Sequence, residues 1–193
     1  DWHSDFKSGY RWDSTTHYYD LEIPIDQGVD VKVPWELARL QHLPQLALFG
    51  ATYCNEIRDQ ILDFLAANPP RFGVNWVCSM EVAIRIANIL LSVDMVQSQG
   101  YVWDTPFLLE VLRAAQNHSD HILNHLEWSE IGRTNHYISD IVGLLWANAY
   151  LPESSRRNSV LAFCAQEFIK ESRVQFLDDG GCYEGSSNYH RLS

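Results

Sequence analysis

"WVCSMEVAIRIANILLSVDMVQSQ", residues 76–99, decides the fold. Apolar side chains recur nearly all round it, so a helix over this stretch is enclosed by other helices. Yet Glu81, Arg85, Asn88 and Ser92 fall on one stripe, at i, i+4, i+7 and i+11. A polar stripe on an enclosed helix either forms a buried network or faces a wet cavity, and the stripe alone favours the network. Glu81 also precedes Arg85 in the favourable i to i+4 order for an ion pair.

The surrounding chain has the same rhythm of helix, turn, helix. The spacing predicts helices over residues 52–68, 105–126, 134–150 and 155–177. A shorter helix begins at Pro34 and ends near Pro44, and Pro69 and Pro70 stop the next one. Residues 1–33 mix aromatic and polar side chains without a helical period, and read as extended segments and loops draped over the helical part, residues 34–193. Only "VDVKV" shows a weak strand-like alternation. The expectation is an all-α fold of antiparallel helical hairpins, arranged as a bundle, solenoid or toroid.

Composition narrows function. With 14 Lys plus Arg against 25 Asp plus Glu, the formal net charge is −11. That excludes non-specific nucleic-acid binding and demands a locally positive site for any acidic ligand. Seven Trp and nine Tyr are many for 193 residues, and such rings line sugar grooves as well as cores. Cys54, Cys78, Cys164 and Cys182 have no Cys-x-x-Cys spacing, so neither a zinc nor a thioredoxin-like motif is supported. No apolar run is long enough to span a bilayer.

Three stretches carry polar groups suited to chemistry. In "RTNHYISDIVGLLWANAY", residues 133–150, Asn135 and His136 stand where a core helix starts. Either Thr134 caps the helix and the pair is structural, or the helix N-terminus and the pair together face an anion. In "DDGGCYEGSSNYHRL", residues 178–192, two glycines allow a sharp turn before Glu184, Tyr189 and His190. A plain helix start is the alternative. His118, His121 and His125 have spacing compatible with a metal face, but no carboxylate joins them, and surface histidines are the default.

Four stretches together, "DVKVPWELARLQHL", "NWVCSMEVAIRIANIL", "TNHYISDIVGLL" and "DGGCYEGSSNYH", resemble in order and spacing the helical domain of heparinase II/III-like polysaccharide lyases, alginate-lyase-like members included. The resemblance covers about residues 30–190. It implies an incomplete α/α toroid followed by an antiparallel β-sandwich domain, with an acidic, uronate-containing polysaccharide bound between them and cleaved by β-elimination. It implies no cofactor and no metal at this site.

Carried over by position, the resemblance makes Asn135, His136 and Tyr189 the catalytic set. Trp76, Glu81, Arg85, Glu184 and His190 become sugar contacts. The chain as read stops short of the β-sandwich, so the expectation is a fragment inactive alone. The compartment stays open, and a periplasmic or secreted home suits polymer breakdown.

Two rivals remain at this stage. A glycoside hydrolase on a similar toroid would use two carboxylates, for which Asp140, Asp179 and Glu184 are available. A non-catalytic carbohydrate-binding helical domain would bind sugar without turnover.

Overall fold

A computed structural model describes residues 1–24, 28–130, 134–183 and 185. The fold is mainly helical, as the periodicity predicts. Its helices are α1 (Lys32–Ala38), α2 (His42–Ala47), α3 (Cys54–Ala67), α4 (Ser79–Ser98), α5 (Thr105–Asn124), α6 (Asn135–Tyr150) and α7 (Ser155–Gln175). No described helix is long and apolar enough to cross a membrane.

The first helical stretch departs from the sequence expectation. Pro44 does not end a helix. The break falls at Leu40, whose φ of 54° is left-handed, and Pro44 sits in the first turn of α2. A first-turn N–H has no intrahelical acceptor, so proline loses nothing there. "VDVKV" runs into the start of α1 rather than forming a strand. The strands among the described residues are the short antiparallel pair β1 (Ser4–Asp5) and β2 (Tyr10–Arg11).

That pair belongs to an N-terminal segment bound closely to the helices. Asn75 Nδ2 donates to Trp2 O at 2.7 Å, His3 Nε2 lies 3.1 Å from Ala67 O, and Gly73 N donates to Thr16 O at 2.9 Å. The Asp5 carboxylate accepts from Lys7 N, Ser8 Oγ and Asp30 N, which shapes the loop and ties it toward α1.

α4 is the centre of the packing, as its all-round apolarity requires. It contacts α1, α2, α3, α5 and α6, and its Val82, Ile86, Ile89, Leu90 and Val93 are wholly buried. α5 returns alongside it, α6 runs beside α4 again, and α7 returns against α6. α4 and α6 approach unusually closely. A Cβ added at Gly143 would lie 2.6 Å from both Cα and Cβ of Ala83, so only glycine lets the two backbones meet. A helix-interior glycine costs about 1 kcal/mol relative to alanine, which this close packing offsets.

The polar stripe on α4 is a network, although not with the partners its spacing suggests. Glu81 pairs with Arg39 rather than Arg85, through a two-pronged contact at 2.6 and 2.7 Å. Arg85 has other partners. Its Nε donates to His118 Nε2 at 3.1 Å and its Nη2 to Asn75 O at 3.0 Å, between the rings of Phe64 and Trp76. Asn88 donates to Arg39 O and Ser92 to Asn88 O.

The histidine row is also corrected. His118 and His121 are buried, not on the surface. His118 donates from Nδ1 to Ala114 O, so its Nε2 is free to accept from Arg85 and the ring is neutral. Burial, with Arg85 beside it, holds its pKa well below the ordinary range. Tyr18 OH meets His125 Nε2 at 2.5 Å and closes the row against the N-terminal segment.

Candidate active site

α6 begins as its sequence suggests. Thr134 caps the helix in extended conformation, its hydroxyl accepting from His136 N at 3.3 Å. Asn135 is the first helical residue and is enclosed, at 2 % exposed. The His136 side chain is 39 % exposed. The two neighbours therefore differ in access: the imidazole reaches solvent, whereas the amide lies beneath the surface.

The loop between α5 and α6 supplies a partner that the sequence reading missed. Glu127 Oε2 lies 3.2 Å from His136 Nδ1 and accepts from Met80 N, in the first turn of α4, at 3.0 Å. One carboxylate thus bridges the starts of α4 and α6, which lie side by side. Each helix start contributes about half a positive charge. The Cys78 thiol, at the N-cap of α4, donates to the same carboxylate over 3.8 Å. Asp140, one turn into α6, accepts from Glu127 N at 2.8 Å and fixes the loop from below.

Electrostatics follows this geometry. The hydrogen bond to Glu127 raises the His136 pKa above its ordinary value, against the opposing effect of burial. Burial pushes Glu127 upward, but the bonds from His136 and Met80 N outweigh it and hold the carboxyl below its usual range. Burial and the nearby Glu127 charge push the Cys78 thiol up to about 12. Asp140 is pushed up to about 7, chiefly by burial.

Cys78, Glu127 and His136 bring their ligand atoms within 4.8 Å of one another. Within the trio the thiol donates to the carboxylate and the imidazole Nδ1 bonds to it, so the three groups form one hydrogen-bonded cluster.

A cleft of about 150 Å³ opens between α4 and α6, lined by Ala83, Ile84, Asn88, Ile138, Ser139 and Gly143. Ser139 Oγ donates to Asn135 O, so the cleft lies one turn along from the His136 site. Whole small-molecule sites usually enclose ~300–1,000 Å³.

The sequence model of Heparinase II/III N-terminus matches residues 5–193. The chain belongs to that family. Comparison with curated proteins and with solved structures gives no match.

Against the heparinase II/III expectations, the site residues fall into three groups. Asn135 and His136 stand together at the start of α6, and Glu81 lies nearby in the first turn of α4, buried on Arg39. Trp76 and Arg85 are enclosed, at 1 % and 0 % exposed, with the guanidinium over the indole ring, so neither presents the open surface expected of a sugar contact. Glu184, Tyr189 and His190 lie outside the described residues.

The approach to that last stretch is described. Residues 176–182 form a hairpin closed by Leu177 N to Gly181 O at 2.8 Å, and Tyr183 N donates to Gln175 O. Gln175 Nε2 in turn donates to Thr134 O at 3.2 Å, joining the end of α7 to the cap of α6.

Arg39, Glu127 and the supporting role of Asp140 were not foreseen. The only signal for Glu127 was an acidic side chain in the short loop just before the Asn-His pair. Asp140 has 0 % exposure and bonds to Glu127 N, so it offers no surface to a sugar as a hydrolase acid would require.

Proposed function

We propose that this chain is the helical part of a polysaccharide lyase that cleaves a uronate-containing polymer by β-elimination. In this reading its hairpins form part of an α/α toroid, and a following antiparallel β-sandwich completes the substrate cleft. One observation carries the reading: His136 and the starts of α4 and α6 already surround a carboxylate, that of Glu127. The same positive environment suits the carboxylate of a bound uronic acid.

The chemistry requires this kind of help. The C5 proton of a uronate is α to a carboxylate, and its removal adds charge to charge. A protonated His136 neutralises the carboxylate, and Asn135 adds an amide donor once the sugar opens access to it. Each preorganised donor is worth about 3 kcal/mol in the transition state, or roughly 10²-fold in rate.

Tyr189 takes the C5 proton and gives one to the departing O4, leaving a C4–C5 double bond. Positioned acid–base catalysis contributes ~10²–10⁴-fold. Glu184 and His190 are assigned to sugar contact, with Trp76, Glu81 and Arg85 as buried supports. The link from Gln175 to Thr134 supports bringing the Tyr189 stretch toward Asn135 and His136.

The test uses the full-length protein and a panel of uronate polymers, followed by ultraviolet absorbance of the unsaturated product. Product from wild type, with loss in Asn135→Ala and Tyr189→Phe, is the expected result. New reducing ends without a double bond would instead indicate hydrolysis and overturn the reading.

A further inference from the structure

We propose that Glu127 is the positioning residue of this site: its carboxylate holds the His136 imidazole by Nδ1 and turns Nε2 toward the carboxylate of a bound uronic acid. This assignment deepens the lyase reading and rests on it for the identity of the ligand.

The geometry has three parts. First, Nδ1 of His136 is the ring nitrogen engaged, at 3.2 Å from Glu127 Oε2, and no described group occupies Nε2. An imidazole bonded this way carries its neutral-state proton on Nδ1, and the proton added on ionisation goes to Nε2. Nε2 is thus the atom that donates to an anion arriving from solvent, where the side chain is 39 % exposed.

Second, Glu127 is itself held. Met80 N fixes Oε2 from α4, and Asp140 accepts from Glu127 N at 2.8 Å. A carboxylate fixed at both its backbone and its side chain can orient its neighbour rather than follow it.

Third, the other charged groups facing His136 do not compete for it. Asp140, from α6, is engaged with Glu127 N, and Glu81, from α4, is engaged with Arg39. Cys78, from the N-cap of α4, directs its thiol at Glu127. The clamp also favours the charged imidazole, consistent with the raised pKa of His136. An acidic residue beside a substrate-carboxylate site would otherwise repel the ligand. Here its charge is spent on His136 and two helix starts, and the imidazolium faces outward.

The experiment is nitrogen-detected NMR titration of the His136 ring in the full-length protein, alongside the pH profile of elimination. Wild type is compared with Glu127→Gln, which retains an acceptor for Met80 N but lacks the charge. The expected result is a fall in the His136 titration midpoint in Glu127→Gln. The alkaline limb of kcat/KM shifts the same way, and neutral wild-type His136 shows the Nδ1–H tautomer. An unchanged midpoint, or an Nε2–H tautomer, overturns the proposal.

The tautomer is read in wild type, so the test survives even if the variant fails to fold. A midpoint that falls while wild type makes no unsaturated product from any uronate polymer supports the clamp and removes the lyase reading.

Discussion

His136 Nδ1 lies 3.2 Å from the carboxylate of Glu127, and this contact joins the start of α6 to the start of α4. It explains why two polar residues open a helix that is otherwise built for burial. Asn135 is packed inward, and His136 is held at the surface by a carboxylate that two helix ends stabilise. The relationship also fixes which parts of the fold the site depends on, and each dependence can be measured.

Glu81 is 2 % exposed and its two oxygens face Arg39. Removing one partner of a buried pair leaves the other charge unpaired, at a cost of about 3–5 kcal/mol. Arg39→Ala is therefore expected to lower unfolding free energy by that order in chemical denaturation. Glu81→Gln with Arg39→Met removes both charges together, and is expected to cost less than Arg39→Ala alone.

Gly143 is the point at which α4 and α6 touch. Gly143→Ala places a methyl 2.6 Å from the backbone of Ala83, which a rotamer change cannot relieve. Overpacking of this kind costs ~1–3 kcal/mol, more than the gain in helix propensity. A lowered Tm is expected. Because the helices must spread, the His136 ring signal is expected to shift as well.

Arg85 is wholly enclosed, and burial lowers its pKa to about 9, so it stays charged at neutral pH. Its planar group serves His118 and Asn75 O at once between two aromatic rings. Lysine cannot reproduce that fork. Arg85→Lys is expected to leave a buried acceptor unsatisfied and to cost about 1–3 kcal/mol in denaturant melts.

Asp140 gives the protein a pH signature. Its folded pKa is raised from 3.8 to about 7, chiefly by burial, so the native state holds a proton that the unfolded chain releases. The stabilisation linked to that proton is complete below the unfolded value and is lost as pH rises through about 7. Asp140→Asn removes this dependence. Between pH ~4 and ~7, its stability is expected to rise relative to wild type as pH increases, read from paired melts across the range.

Much of this was legible in the sequence. The periods of α3, α4, α5, α6 and α7 gave helices with ends displaced by only a few residues, because long apolar stripes and a capping residue such as Thr134 are local signals. The stripe on α4 was legible as a network for the same reason. Its partners were not. Whether Glu81 turns to Arg85 on its own helix or to Arg39 on another is settled by packing that no local spacing records. The break at Leu40 was missed because a left-handed leucine has no compositional mark, whereas Pro44 looked like a stop and was a start.

Glu127 was missed on similar grounds. It lies in a loop, and its importance comes from the meeting of two helix ends distant in sequence. His118 and His121 looked like surface residues because their burial depends on the N-terminal segment and Trp76, which pack over them from elsewhere in the chain.

The most direct measurement is a crystal structure of the full-length protein with an acidic oligosaccharide bound. The account predicts a uronate carboxylate within hydrogen-bond distance of His136 Nε2, with Glu127 still on Nδ1 and the Tyr189 phenol beside C5 of that sugar. An oligosaccharide that binds elsewhere, leaving His136 untouched and Tyr189 remote, would contradict it.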